Sequence, residues 1–149
     1  MIVVERKRLI AAPAEQVRAV LADVDRLARV LPRVDRAEVL ARSENRARLA
    51  IVVRLGRLGA QRIEGEARLL ENGLRFVAVE PLQLDARWTV QSREAQSDVS
   101  AQIAFELPRR LAAMTRLIPQ RLIVERVGAE LESALERLES LAQQEERAG

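Results

Sequence analysis

The chain has 149 residues, 48% hydrophobic and 32% charged, which is enough for one globular domain, residues 1–149, with a sizeable core. It contains no cysteine, histidine or tyrosine, which excludes disulfides, thiolate nucleophiles and the usual zinc or iron ligands. The acids and bases left are carboxylates, arginines and the single lysine, Lys7, so we predict no metal site, no cofactor and no catalytic residue.

The charge is unevenly distributed along the chain. The pI is near 10.7 but the net charge is only +3. Residues 1–62 carry 14 basic and 7 acidic groups, and residues 63–149 carry 11 and 15. This mild polarity is typical of a solvated surface, and the scarcity of aromatics (Phe76, Trp88, Phe105) argues against stacking on nucleic-acid bases. The opening MIVVERKRLI has charges where a signal peptide needs an apolar core, so we predict a cytoplasmic protein.

The first thirty residues predict a strand and two short helices. Residues 2–11 form a strand with no cleanly apolar face, which is typical of an edge or bulged strand. The first helix is indicated by apolar residues at spacings of three and four: Val17, Val20, Leu21 and Val24. The second contains Leu27, Val30 and Leu31 and is stopped by Pro32.

From Val34 to about Leu107 apolar residues alternate with polar ones, which predicts six consecutive strands joined by short turns. The strongest hairpin signal is Asn72-Gly73, because both residues tolerate a positive φ. With the first strand, the chain gives a seven-stranded antiparallel sheet.

From Pro119 to the tail the chain predicts one long helix of about 25 residues, with an apolar stripe wide enough to cover a sheet. Glutamates and arginines fill the rest of its circumference. Gly128 interrupts it beside the stripe, where glycine costs about 1 kcal/mol relative to alanine. Gly128 is interpreted either as close packing against a strand or as room for a ligand between helix and sheet.

The segment 108–118, PRRLAAMTRLI, combines arginines with apolar residues. It is interpreted either as a solvated helix end or as a peripheral membrane contact near Arg109–Ile118.

The order of these elements resembles the SRPBCC superfamily of START-like and birch-pollen-allergen-like domains. The residues that carry the resemblance are Ile10-Ala11-Ala12-Pro13, then Val17, Leu21, Asp23 and Leu31-Pro32, and later the Trp88 strand, Ile103–Leu107 and the long final helix. These later segments are similar to its polyketide cyclase and coenzyme-Q-binding branch. Arg18 stands where members of that branch commonly carry an aromatic residue.

The resemblance implies an α+β helix-grip fold, in which a curved seven-stranded sheet carries two short helices after strand 1 and a long C-terminal helix packed across it. It also implies a deep apolar cavity that holds a lipid, isoprenoid quinone or polyketide-like molecule.

The residues themselves agree with a cavity, because the inward faces repeat small side chains: Gly65, Ala67, Ala78, Ala86 and Ala101. The alternative is that these small residues let the helix approach closely and fill the space. The predicted ligand-binding residues are Leu55, Gln61, Ile63, Ala67, Phe76, Trp88, Ile103, Phe105, Val124, Val127, Gly128 and Leu131.

Three functions stay open. The first is non-catalytic binding or transport of a hydrophobic small molecule. It is favoured because the usual acid–base residues are absent and most strand carboxylates are predicted to face outward. Gln61, and Arg6 or Arg8 if the first strand faces inward, are candidates to orient a head group, although a buried arginine needs a partner that the sequence does not identify.

The second possible function is that of a polyketide aromatase/cyclase-type enzyme. The third is a ribosome- or RNA-associated interaction module, supported only by the basic front half.

Overall fold

The computed structural model of the protein describes residues 1–56, 59–80, 82–106, 113 and 118–148. The strands are β1 (Ile2–Ile10), β2 (Val34–Ser43), β3 (Arg46–Arg54), β4 (Ala60–Leu70), β5 (Gly73–Ala78), β6 (Gln83–Arg93) and β7 (Gln96–Glu106). The helices are α1 (Ala14–Leu21), α2 (Val24–Val30) and α3 (Gln120–Ala148). The predicted membrane contact near Arg109–Ile118 lies almost wholly outside the described residues.

The seven strands form one antiparallel sheet in the order β1-β7-β6-β5-β4-β3-β2. Consecutive strands from β2 to β7 are neighbours, and β1 closes the order by pairing with β7. The predicted helix-grip architecture is therefore confirmed, with β1 and β2 as the sheet's edges. β2 has register shifts between Val34 and Arg36 and between Val39 and Ala41, which is common at an edge.

One hairpin turn differs in detail from the sequence prediction, and a second carries no glycine signal. Leu70 pairs with Gly73, so the β4–β5 turn consists of Glu71 and Asn72, one residue earlier than predicted. Gly73 is required for a different reason: a Cβ there would lie 2.8 Å from the Trp88 carbonyl carbon. The β6–β7 turn places Glu94 at a φ of 60° with no glycine to indicate it.

The two short helices begin where the sequence supplies a start signal. Pro13 is extended and precedes α1. Asp23 caps α2, because its Oδ1 accepts hydrogen bonds from the backbone N–H groups of Asp25 at 3.1 Å and Arg26 at 3.3 Å. These starts place α1 and α2 against one face of the sheet, which we call the inner face.

The core lies between the inner face, α1, α2 and the second half of α3. Its fully buried members are mostly aliphatic and include Ile10, Val17, Val20, Val30, Val90, Val99, Leu135, Leu138 and Ala142. The two halves of α3 differ. Ala134, Leu135, Leu138 and Ala142 are buried, whereas Val124, Val127 and Leu131 in the first half are only half-buried. The packed core thus ends near Gly128. Among the described residues, the structure has no helix with the length and apolar character needed to span a bilayer.

Candidate functional site

The inner face of the sheet presents an apolar row that begins at β1 and β7, the two strands that α3 contacts most. Pairing in direct register places one residue from each of six strands in this row: Val4, Ile103, Ala86, Phe76, Ala67 and Ala47. The next row is Arg6, Ala101, Trp88, Leu74 and Leu69. Side chains in one row lie about 5 Å apart, so each row forms a continuous surface.

The predicted ligand-binding residues fall into two burial classes. Buried are Ile63, Ala67, Trp88, Phe105 and Gly128, and half-buried are Leu55, Gln61, Phe76, Ile103, Val124, Val127 and Leu131. The register brings Phe76, Ile103 and Trp88 together on the inner face. Leu55 lies beyond the end of β3, where its N–H donates to the Gly59 carbonyl at 2.9 Å, and it joins neither row. Gln61 pairs with Val53 near the far end of β4.

Gly128 is covered by the side chain of Arg6, a contact that neither of the two interpretations of this glycine included. A Cβ at Gly128 would lie 2.6 Å from Cζ of Arg6. The Arg6 guanidinium therefore rests on the helix at this point, with its Nε 3.3 Å from Glu132 Oε1 and its Nη1 donating to the Glu5 carbonyl at 2.8 Å. Arg6 faces inward as one prediction allowed, and Glu132 is the partner that the sequence did not identify.

Gly65 is filled in a similar way. A Cβ there would lie 2.6 Å from Cζ of Phe76, so the aromatic ring leans over the glycine. Gly65 is one of the small residues expected to leave free volume, and the space over it is therefore filled by a side chain of the neighbouring strand. Phe76 itself is half-buried and packs against the core.

Glu139 joins α3 to the end of β1. Its Oε1 accepts from Nη2 of Arg8 at 2.9 Å, and its Oε2 accepts from the backbone N–H of Ala11 at 2.8 Å. The Ala11 hydrogen bond holds the pKa of Glu139 below its ordinary value, against the opposing effect of burial and with added support from Arg8. Gln143 Nε2 donates to the Ala11 carbonyl at 3.3 Å.

Glu130 joins α3 to the loop between α2 and β2. Both of its carboxylate oxygens lie 2.7 Å from Nε of Arg33. Nη1 of Arg33 also donates to the Arg54 carbonyl at 2.9 Å, which connects the helix to the end of β3. Arginine–carboxylate contacts thus hold α3 from two sides, β1 on one and the α2–β2 loop on the other.

These contacts do not follow from the sequence prediction, which assigns the glutamates of α3 only to the solvent-facing arc. The spacing of charged residues in the sequence nevertheless indicates the contacts between β1 and α3. Glu132 and Glu139 are seven residues apart and lie on one side of a helix, and Arg6 and Arg8 are two apart and lie on one face of a strand.

Two surface depressions lie away from the predicted ligand-binding residues. One, of about 530 Å³, is lined mainly by outward-facing residues of β1, β6 and β7, among them Lys7, Thr89 and Asp98. The other, of about 270 Å³, lies between α1 and the β4–β5 hairpin. Neither includes any of the twelve predicted residues, so the cavity beneath α3 stays a prediction supported by the half-buried apolar surface.

Carboxylates with perturbed pKa values sit in ion pairs. The Arg75 hydrogen bond lowers the pKa of Asp85, and the Arg62 hydrogen bond lowers that of Glu64. Burial raises the pKa of Asp23, but hydrogen bonds from Arg26 and Asp25 outweigh it and lower the pKa overall. In the described part of the chain no group of three acidic, histidine or cysteine side chains could hold a metal ion.

Comparison with known proteins gives a family and a set of similar folds. The profile of the family described as polyketide cyclase / dehydrase and lipid transport matches residues 1–143. A protein from Thermus thermophilus has a similar structure, with a TM-score of 0.80, 24% identity and coverage of 96% of this chain and 98% of that one. No curated protein sequence matches the chain.

Two further structures share the fold at lower identity. A START superfamily protein from Mycobacterium smegmatis gives a TM-score of 0.74 at 16% identity, covering 95% of this chain and 97% of its own. An aromatase/cyclase from a Streptomyces species gives 0.67 at 18% identity, covering 98% and 94%.

Proposed function

Because the chain belongs to the polyketide cyclase/dehydrase and lipid transport family, we propose that it is a non-catalytic carrier of a hydrophobic small molecule. The molecule binds between the inner face of the sheet and the first half of α3. A lipid, an isoprenoid quinone or a polyketide-like compound has the chemistry that this surface would accept.

The observation that carries the proposal is the change in burial along α3. The second half of the helix is packed into the core, but Val124, Val127 and Leu131 stay half-buried beside a sheet face on which Phe76, Ile103 and Ala86 are also half-buried. Apolar surface left in contact with water costs about 25 cal/mol per Å², so a ligand that covers it binds favourably.

Arg6 supplies a polar group at the side of this surface. Its side chain is 35% exposed and pairs with Glu132, which is 64% exposed. A pair that stays this solvated contributes little to stability. Arg6 can therefore exchange Glu132 for an anionic or carbonyl head group, while the apolar part of the ligand lies along the row of Ile103, Ala86 and Phe76.

The absence of catalysis is proposed from the pKa values of the carboxylates. General acid–base chemistry favours a pKa near neutrality. The pKa values of Asp23, Glu64, Asp85 and Glu139 are all shifted down, away from that range. These groups stay ionised and are engaged by arginines.

An aromatase/cyclase-type activity is the second candidate, and the family description favours it. In that case the shape of the apolar surface would fold a poly-β-keto chain, with Arg6 or Gln61 orienting a carbonyl group. Turnover of such a chain that falls on Arg6→Ala, with ligand affinity retained, would establish this function instead of the carrier.

The carrier proposal is tested with N-phenylnaphthylamine, an uncharged probe that fluoresces in apolar surroundings. The variant Ala86→Phe fills the middle of the inner-face row, and Ala104→Phe adds the same ring to the outer face of the neighbouring strand. We expect saturable probe binding that weakens about tenfold in Ala86→Phe, equivalent to about 1.4 kcal/mol, and stays unchanged in Ala104→Phe.

Equal binding by Ala86→Phe and the unsubstituted protein would refute the proposed location. Native mass spectrometry of the protein purified from its own host is the complementary test, with a bound apolar mass as the expected result. No adduct, together with no binding of the probe, fatty acids or quinones, would refute the carrier function.

A further inference from the structure

The depression between α1 and the β4–β5 hairpin is lined by Arg18, whose Nε has no hydrogen-bond partner among the described residues. Its lining is almost entirely apolar and consists of Ala19, Leu21, Ala22, Leu69, Leu70, Gly73 and Arg18. The Nε of Arg18 is shielded from solvent and has no hydrogen-bond partner. Within the described residues no carboxylate forms an ion pair with the Arg18 guanidinium.

Arg18 as a whole is half-buried, but its Nε is a buried donor without a hydrogen bond, and such a donor is costly. Burying a polar group without a hydrogen bond costs about 1–3 kcal/mol. The arginines that reach α3 from β1 and from the α2–β2 loop, Arg6, Arg8 and Arg33, each have a glutamate partner. Arg18 differs from these arginines. An anion from outside the chain could accept a hydrogen bond from its Nε and so remove the free-energy cost of leaving that donor unpaired.

We infer that this depression is a second binding site, which takes a small carboxylic acid with a short apolar tail. The guanidinium presents a planar fork of donors that matches a carboxylate. One arginine balances one negative charge, which favours a carboxylate over a doubly charged phosphate. The tail lies against Leu21, Leu69 and Leu70.

Size and access are consistent with such a ligand. The volume of about 270 Å³ lies just below the range of about 300–1,000 Å³ that is usual for drug-sized ligands, so it suits a smaller molecule such as a short-chain carboxylic acid. Ala22 is exposed and Leu69 is 39% exposed, so the rim is open to solvent.

This site is separate from the surface beneath α3. Leu69, Leu74, Trp88, Ala101 and Arg6 follow one another across the sheet in register. Leu74 and Trp88 are only 6% and 5% exposed and form a closed stretch between the two ends of this row. Binding at this second site is therefore independent of the proposed carrier function.

The test uses hexanoate, with hexanol as its uncharged counterpart, in an amide chemical-shift titration of the isotope-labelled full chain. We expect saturable shifts with hexanoate at Ala19, Ala22, Leu69 and Leu70, and none with hexanol. Arg18→Met keeps most of the length of the side chain and removes its charge, so it should weaken hexanoate binding by about tenfold or more. Arg29→Met, which changes an exposed arginine on α2, should bind as the unsubstituted chain does.

A stability measurement separates a binding role from a structural one. Within the described part of the chain Arg18 Nε has no hydrogen bond to lose, so Arg18→Met should melt at the same temperature or higher while no longer being stabilised by hexanoate. Hexanoate shifts confined to residues beneath α3, shifts unaffected by Arg18→Met, or equal competition by inorganic phosphate would each overturn the inference. A fall of several degrees in the melting temperature of Arg18→Met would assign Arg18 a structural role instead.

Discussion

At the scale of single residues, the contact between the Arg6 guanidinium and Gly128 joins an edge strand to the long helix. Alanine at position 128 would gain helix propensity of up to about 1 kcal/mol but would push against the far end of a flexible side chain. We expect Gly128→Ala to be more stabilising when Arg6 is also replaced by alanine than when it is present. Chemical denaturation of the two single variants and the double variant measures this coupling. The same gain in both backgrounds would show that Arg6 does not occupy the space over Gly128.

Glu139 makes the stability of the folded protein depend on pH. Its folded-state pKa lies below the ordinary value of 4.5, so its stabilising contacts are fully present above that pH and are lost as the pH falls through the folded-state pKa. We expect Glu139→Gln to unfold more easily at neutral pH, by about 2 kcal/mol, because the charged hydrogen bonds to Ala11 and Arg8 are weakened. The difference from the unsubstituted protein should shrink below about pH 4.5. Glu125→Gln changes an exposed glutamate of α3 and should have little effect at any pH. A difference between Glu139→Gln and the unsubstituted chain that grows in acid would contradict the assignment.

At the scale of elements, α3 is held unevenly along its length. Ala134, Leu135, Leu138 and Ala142 belong to the core, whereas the apolar residues of 122–129 are at most half-buried, apart from Gly128. Local opening requires less free energy where fewer apolar contacts are buried. We expect amide hydrogens of residues 124–129 to exchange at least about tenfold faster than those of 134–142, and to become protected when an apolar ligand binds. Uniform protection along α3 without ligand would mean that its first half is packed as firmly as its second.

The elements themselves were predictable from the sequence because each has its own local signal. Alternation in β3 and β4, helical spacing in α1 and the stripe of α3 follow from the periods of two and 3.6 residues. The long-range contacts were not predictable in the same way. Phe76 fills the space over Gly65 only because two strands pair in a particular register, and Glu130 meets Arg33 across 97 positions of the sequence. Whether small inward residues leave a cavity or are filled depends on such pairings, which no local pattern encodes.

At the scale of the whole molecule, the proposed function requires that apolar ligands bind between the inner face of the sheet and the first half of α3. The structure places a natural reporter beside that surface. Trp88, the single tryptophan, lies two residues from Ala86 on the same face of β6 and is only 5% exposed. A quencher in bulk water therefore reaches it poorly, whereas a bound ligand beneath α3 would approach it closely.

The most direct test is to titrate the chain with a dibrominated stearate and follow Trp88 fluorescence, since bromine quenches tryptophan only near contact. Binding beneath α3 predicts saturable quenching in the unsubstituted protein and in Ala104→Phe, and its loss in Ala86→Phe. No quenching at saturating ligand, or equal quenching in Ala86→Phe, would contradict it.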